Sequence, residues 1–278
     1  MNIKRLAFCA ITLLFLTACG AGRFADIRIT SDAETTQVTK SPRTLRLMTY
    51  NVGAFSKYEG SGIARTAQII AAQHPDAVAL NEVDSVNVRH KEDQLALLAA
   101  ELGGWQRHFG AAMTFLGGSY GNGVMASPDH RILRKCTVPM SKAGGSEPRS
   151  AAVIETDSFV FASCHLDYKT DDARLSQIAQ LTSWFNENYP QSSKPVFLCG
   201  DMNAEPESAS IDALKEYWEL LSPTDPTFPV EAPCKCIDFI FRLKSSARVK
   251  IIGGGVVNND ETASASDHLP VWTDVVIR

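Results

Sequence analysis

The end of one apolar run carries the side chains best suited to chemistry. Val196 to Leu198 leads through Cys199 into Gly200-Asp201-Met202-Asn203. Because alternate side chains of a strand share a face, Asp201 and Asn203 lie on the same side. A carboxylate can accept a proton from water, and a carboxamide can hold that water or a phosphoryl oxygen. Since α/β proteins place reactive groups at the carboxyl ends of strands, this pair indicates a site that activates water.

Five further polar groups lie at the ends of apolar runs elsewhere: Asn51, Asn81-Glu82, His165, Asp238 and Ser266-Asp267-His268. Most have an ordinary explanation, since Asn tolerates turns and a carboxylate at a strand end is commonly solvated. Asp238 differs, because a charge inside an apolar strand requires a partner. Their recurrence at strand ends favours one shared site.

Short apolar strands and amphipathic helices alternate along the chain and must position these groups. The pattern predicts strands at Leu45–Asn51, Asp76–Leu80, Trp105–Ala112, Gly123–Ser127, Arg131–Val138, Ala151–Thr156, Phe159–His165, Val196–Gly200, Ile237–Phe241, Val249–Gly253 and Val271–Ile277. It predicts helices at Ile63–Gln73, Asp93–Leu102, Asp172–Asn188 and Ser208–Trp218. This mixed order predicts α/β layers, and the lack of repeats or a mid-chain linker favours a single domain over residues 44–278.

The ordered set of polar groups resembles the endonuclease/exonuclease/phosphatase superfamily. The resemblance runs from Leu45 to Ile277 and includes Gly117–Asn122, Glu147-Pro148-Arg149 and Thr227-Phe228-Pro229. It implies a four-layer α/β sandwich, in which two packed mixed β-sheets are flanked by helices. It also implies metal-dependent hydrolysis of phosphate esters by in-line attack of water, without a covalent enzyme intermediate.

The resemblance assigns expected roles to the polar residues. Glu82 is the expected ligand of Mg²⁺ or Mn²⁺, with Asn51 beside it and Asp267 joining this site or a second one, since such ions prefer oxygen ligands. Arg149 is expected to contact a substrate phosphate, and Asn122 is a further candidate for substrate contact.

The remaining residues are expected to act on water and phosphate. Asp201 orients or deprotonates the attacking water, and Asn203 holds the phosphate or the water in line. His165 and His268 donate hydrogen bonds to the non-bridging oxygens, where charge must be stabilised. Asp238 pairs with His268 and favours its imidazolium form.

Several alternatives stay open. The substrate is a small phosphorylated metabolite, a phospholipid headgroup or a nucleic acid, and a mono- or a diester. A catalytically silent surface protein that binds a phosphorylated ligand is the alternative from another class. A zinc hydrolase needs clustered nitrogen or sulfur ligands, which the scattered Cys and His residues do not supply. Cys234 and Cys236 alone lack the second half of a zinc site.

The first residues resemble an export signal. Lys4 and Arg5 precede an apolar stretch from Leu6 to Thr17, which is too short to span a bilayer comfortably. Leu16-Thr17-Ala18-Cys19 resembles a lipobox, so residues 1–18 are predicted as a lipoprotein signal peptide, Cys19 as the lipidated residue, and 19–43 as a tether. Gly20 favours an outer-membrane anchor. An ordinary cleaved signal peptide is the alternative.

The net charge and the cysteine content make some functions and some kinds of structure less favourable. The formal charge is −4, and loss of Lys4 and Arg5 with the signal makes it −6. Because proteins that hold long duplex DNA carry a basic face, this balance disfavours a non-specific nuclease. The five cysteines after the signal have irregular spacing, which does not indicate a disulfide framework. We expect a monomer that meets the membrane only through its lipid.

Overall fold

The computed structural model describes residues 40–59 and 61–278, whose strands and helices follow the predicted mixed order. The strands are β1 Leu45–Asn51, β2 Ala77–Ser85, β3 Gln106–Phe115, β4 Gly118–Ala126, β5 Ile132–Met140, β6 Arg149–Thr156, β7 Val160–His165, β8 Val196–Asp201, β9 Trp218–Leu220, β10 Asp238–Leu243, β11 Val249–Val256 and β12 Val271–Ile277. The α-helices are α1 Ile63–Ala72, α2 Gln94–Glu101, α3 Asp171–Asn188 and α4 Ala209–Tyr217.

The strands form two six-stranded sheets. The first has the order β11-β12-β1-β2-β4-β3, and the second has the order β5-β6-β7-β8-β10-β9. Both are mixed, because β1 and β2 pair in parallel, as do β7 and β8, whereas their outer neighbours are antiparallel. Each parallel pair therefore brings two carboxyl ends to the same edge.

Three apolar clusters hold the layers together. The central one lies between the two sheets and includes Leu47, Phe161 and Ile240. The other two place α1 and α2 against the first sheet and α3 and α4 against the second. Because each helix buries one apolar stripe against a sheet, the result is the predicted four-layer α/β sandwich, which is confirmed.

Local sequence signals account for the helix starts. The side chains of Asp93, Thr170 and Ser208 each accept a hydrogen bond from the backbone N–H three residues on, at the beginning of α2, α3 and α4. Such caps satisfy backbone donors that a helix cannot satisfy itself. The four predicted helices are confirmed within a few residues, although α4 ends at Tyr217 and Trp218 begins the short strand β9.

Strands β2 and β4 are each longer than predicted, since β2 ends at Ser85 and not at Leu80, and β4 begins at Gly118 and not at Gly123. Glycine is depleted in strands, so the first part of β4 gave no strand signal. The packing explains its presence, because a Cβ on Gly121 would lie 2.1 Å from the carbonyl oxygen of Gly110 on the adjacent strand. The close approach of the two backbones requires glycine there.

The predicted signal peptide, the lipidation residue Cys19 and the tether up to residue 39 lie outside the described residues. The tether's last part is described, and the Nζ atom of Lys40 lies 2.6 Å from Oδ2 of Asp76, just before β2. Within residues 40–59 and 61–278, no helix is long and apolar enough to cross a membrane.

Candidate active site

The register of the strands gathers the predicted polar residues at one edge of the sandwich. In the second sheet, Asp201 lies opposite His165 on one side and opposite Asp238 on the other. In the first sheet, Asn51 lies opposite Asn81. Residues far apart in the chain thus meet, because β1, β7 and β8 end where β10 begins and where β2 passes Asn81.

His268 lies between two carboxylates. Its Nδ1 atom is 2.9 Å from Oδ2 of Asp238, and its Nε2 atom is 3.7 Å from Oδ2 of Asp201. Thr227 donates a second hydrogen bond of 2.6 Å to the same oxygen of Asp238. Burial alone lowers the pKa of His268, but Asp238 and Asp201 outweigh it and raise that pKa to about 10. The ring is therefore an imidazolium at neutral pH, and Asp238 fixes its orientation.

His165, unlike His268, is a neutral ring. Its Nε2 atom lies 3.5 Å from Oδ2 of Asp201, at the end of β7. Burial, and then the positive charges of Arg149 and His268, lower the pKa of His165 well below its usual range. Because two imidazolium rings would repel each other across one carboxylate, the site holds one charged and one neutral histidine.

Asp201 is the buried carboxylate that both rings face. Burial raises its pKa to about 7, although the positive charge of His268 opposes that shift. Asn203 donates its backbone N–H to Oδ1 at 2.8 Å, and Asn51 donates its side-chain amide to Oδ2 at 3.1 Å. A carboxylate with a pKa near neutrality and a fixed position is suited to accept a proton from water.

Glu82 occupies a special backbone position. Its φ is 57°, and the pairing of β2 with β4 shifts register between Leu80 and Val83. Such an irregularity turns a side chain out of the regular alternation of a strand. It brings Oε1 of Glu82 within 3.1 Å of the side-chain nitrogen of Asn51. The amide of Asn51 therefore links Glu82 and Asp201.

Asn81 connects the two sheets and was given no role by the sequence. Its Oδ1 atom accepts the backbone N–H of Asp201 at 2.9 Å, and its Nδ2 atom donates to the carbonyl of Cys164 at 2.8 Å. The same amide donates to Oδ1 of Asn122 at 2.9 Å. A polar side chain inside an apolar strand, next to Glu82, is the signal that could have revealed it.

The two residues predicted to contact the substrate, Asn122 and Arg149, are both buried. Asn122 is 2% exposed and donates to the carbonyl of Ser150, so it supports Asn81 from inside the sandwich. Arg149 is 3% exposed at the start of β6, and its Nη1 atom lies 2.9 Å from Oε1 of Glu147. Its buried Nε atom has no hydrogen-bond partner among the described residues. Arg149 thus retains an unused donor, and its positive charge acts on His165.

Comparison with known proteins identifies the family to which the chain belongs. A sequence model of the Endonuclease/Exonuclease/phosphatase family matches residues 48–268. The chain belongs to this family. The family comprises enzymes that cleave phosphate esters, so membership supports that general reaction class. No curated protein sequence matches the chain.

Solved structures share the family fold. A family member from Beutenbergia cavernae has a TM-score of 0.69 at 22% identity, over 84% of this chain and 72% of its own. A mannosyl-6-phosphatase from Bacteroides thetaiotaomicron has a TM-score of 0.69 at 19% identity, over 84% and 99%. The human Nocturnin catalytic domain, with bound sulfate, has a TM-score of 0.65 at 18% identity, over 89% and 100%. At these identities the likeness concerns the fold.

The acidic residues fit the divalent metal on which this family generally depends. Lys57 places its Nζ atom 2.9 Å from Oδ2 of Asp267 and 4.0 Å from Oε2 of Glu82, so a cation already lies between these carboxylates. Asp201, Asp238 and His268 also place one possible ligand atom each within 4.8 Å of one another. A protonated imidazole does not ligate a cation, and therefore the pair of Glu82 and Asp267 fits better.

Proposed function

We propose that this family member is a Mg²⁺- or Mn²⁺-dependent hydrolase of phosphate esters, exported and held at the cell envelope by a lipid on Cys19. The observation that carries the proposal is the position of Asp201. Its carboxylate, whose pKa is near neutrality, faces a cationic His268 and a neutral His165. A neutral and a cationic hydrogen-bond donor thus lie 3.5 Å and 3.7 Å from the same oxygen of one proton acceptor.

The proposed reaction uses these groups in fixed roles. Asp201 accepts the proton of the attacking water, and the turn at Asn203 holds that carboxylate through a backbone hydrogen bond. His268 donates its Nε2–H to a non-bridging phosphoryl oxygen and stabilises the charge that develops there. His165 contributes a neutral hydrogen bond to the same group. Asp238 keeps His268 protonated and oriented.

Glu82 would hold the metal, with Asp267 and Asn51 beside it. When bound, Mg²⁺ or Mn²⁺ supplies polarisation of a phosphoryl oxygen and offsets charge on the leaving oxygen. The protein's own part is to keep the Glu82 carboxylate in place, which it does through the strand irregularity and the amide of Asn51.

The substrate side of the site is proposed to lie near Arg149. Its guanidinium is buried, positively charged and short of one hydrogen-bond acceptor among the described residues. A phosphate oxygen or a polar substituent of the ester supplies such an acceptor. A small phosphorylated metabolite, a phospholipid headgroup and a nucleic acid each carry such an acceptor, so the test covers all three.

The test is turnover of a phosphoester panel with Mg²⁺, with Mn²⁺ and with EDTA. The panel contains bis(p-nitrophenyl) phosphate, p-nitrophenyl phosphate, sugar phosphates, phospholipid vesicles, DNA and RNA. Asp201→Asn and His268→Asn should each lower turnover by about 10²-fold or more. Asp212→Asn in α4 and His74→Asn after α1 are exposed matched controls that should keep wild-type turnover.

Two results would refute the proposal. Turnover that survives both substitutions would remove these residues from the reaction. Binding of Mn²⁺ with no hydrolysis of any ester would assign the alternative of a surface protein that only binds a phosphorylated ligand.

The lipid anchor is tested separately from the reaction. Cys19→Ala should abolish incorporation of a labelled fatty acid and release the protein from the outer-membrane fraction. Unchanged labelling in Cys19→Ala would refute the anchor alone.

A further inference from the structure

Lys57 is the residue near the acidic pair that neither the motifs nor the proposed reaction uses. Its ammonium lies 2.9 Å from Oδ2 of Asp267 and 4.0 Å from Oε2 of Glu82. The side chains of these two acids are 23% and 22% exposed, and that of Lys57 is 38% exposed. The three charges therefore meet at a partly buried place, where water screens them only in part.

The backbone is shaped to deliver Lys57 to this place. Gly53, Ala54 and Phe55 have φ values of 52°, 53° and 55°, so the chain makes a left-handed turn directly after β1. The stem of Lys57 then lies across Gly53, where a Cβ would be 2.3 Å from Cγ of Lys57. A glycine with positive φ serves both the turn and this close approach.

The next residue ties the same segment to the second sheet. The hydroxyl of Tyr58 donates a hydrogen bond to Oε1 of Glu231, in the loop that leads to β10. The backbone N–H of Val230 in that loop donates to the carbonyl of Asp267 at 2.8 Å. Lys57 is thus held between anchored neighbours and is not a free surface lysine.

We propose that Lys57 is a built-in cation that competes with the divalent metal for Glu82 and Asp267 and thereby sets the metal affinity of the site. The inference rests on the proposed metal dependence. A lysine ammonium and a divalent cation both neutralise the mutual repulsion of two neighbouring carboxylates. They cannot occupy the same position between them, so binding of the metal displaces the ammonium.

Competition of this kind predicts the direction in which the metal affinity changes when Lys57 is replaced. Removing the positive charge of Lys57 leaves the two carboxylates unpaired, and a divalent cation then binds without displacing a partner or facing its repulsion. The interaction of two unit charges about 4 Å apart in water, such as an ammonium and a carboxylate, corresponds to about a fivefold change in a dissociation constant. Lys57 is therefore a positioning residue that weakens metal binding and holds the carboxylates of Glu82 and Asp267 in place when no metal is bound.

The experiment measures Mn²⁺ binding by the full-length chain, from the electron paramagnetic resonance signal of free Mn²⁺ at low ionic strength. Lys57→Met should bind Mn²⁺ about fivefold more tightly than the wild type, whereas Lys57→Arg should remain close to the wild type. The gain in Lys57→Met should shrink at high ionic strength. Lys57→Gln carries the same expectation if Lys57→Met does not fold.

Two controls locate and calibrate the effect. Lys250→Met removes an exposed charge from β11, whose residue 250 pairs with Val276 at the opposite end of β12 from the site, and should leave the affinity unchanged. Glu82→Gln should weaken binding and so place the measured ion at the acidic pair.

The outcomes separate this inference from the proposed function. Unchanged or weaker Mn²⁺ binding in Lys57→Met, or equal gains in Lys57→Arg and Lys57→Met, would overturn the competition. A wild type that binds no Mn²⁺ would overturn it as well. The expected order of affinities without hydrolysis of any ester would refute the proposed function and leave the competition standing.

Discussion

Asp238→Asn removes one negative charge while it keeps the shape of the side chain. The oxygen of the new amide can still accept from Thr227 and from Nδ1 of His268, which donate to one carboxylate oxygen in the wild type. What is lost is the charge that contributes most to raising the pKa of His268. We therefore expect that pKa to fall by about two units or more, since burial then opposes protonation with only Asp201 against it.

The consequence is a change in how stability depends on pH. The pKa of His268 is raised from 6.5 to about 10, so the folded protein holds a proton that the unfolded chain releases. This contribution is fully present below pH 6.5 and is lost as the pH rises towards about 10. At about 1.4 kcal/mol per unit, the wild type should lose about 2–3 kcal/mol of unfolding free energy between about pH 7.5 and 9.5. In Asp238→Asn the same step should cost less than about 1 kcal/mol.

Urea unfolding at the two pH values measures this difference without knowledge of the substrate. Buried cysteines and other groups that titrate in this range are present in both proteins, so their effects largely cancel between them. Titration of the His268 ring signals by NMR reports its pKa directly. Equal losses of stability in the two proteins, or an unchanged ring pKa, would refute the claim that Asp238 keeps His268 charged.

Three further predictions follow from the charges and contacts of the site. His165→Gln should retain more hydrolysis than His268→Gln at pH 7.5, because the first replaces a neutral ring and the second a cation; equal losses in steady-state assays would contradict this. Hydrolysis should rise with pH through about 7 as Asp201 loses its proton, and this acidic limb should vanish in Asp201→Asn. Asn81→Leu should lower the unfolding free energy by about 1–3 kcal/mol, since it leaves the backbone N–H of Asp201 buried without its acceptor; denaturation at an unchanged value would refute that.

The order of polar residues along the chain predicted the sandwich through its resemblance to a known family, and the alternation of strands and helices predicted only α/β layers. Asp238 was the most informative, because its place in an apolar strand required a partner, and His268 lies there at 2.9 Å. The extension of β4 was not predictable, since Gly121 is required by close contact with β3 and not by strand propensity. The burial of Asn122, a candidate for substrate contact, was not predictable either, since it depends on the contacts of β4 with the second sheet.

Tertiary contacts also decided which residues share a hydrogen bond. Asn51 and Asp201 are 150 positions apart, and Asn81 and Asp201 are 120 apart, so no local pattern joins them. Lys57 reaches the acidic pair only because a left-handed turn follows β1. None of these contacts has a period or a spacing that a sequence reveals.

The sequence by itself indicated which side chains could act, because polar residues at the ends of apolar runs lie where strands reach the edge of a sheet. The tertiary structure alone decided their protonation. His165 ends strand β7 and His268 lies in the segment before β12, yet one of these two histidines is neutral and the other charged. Burial lowers the pKa of both rings, so the difference arises from the charges around them: Asp238 and Asp201 raise the pKa of His268, and Arg149 and His268 lower that of His165. Which charges lie near each ring depends on how the two sheets are packed.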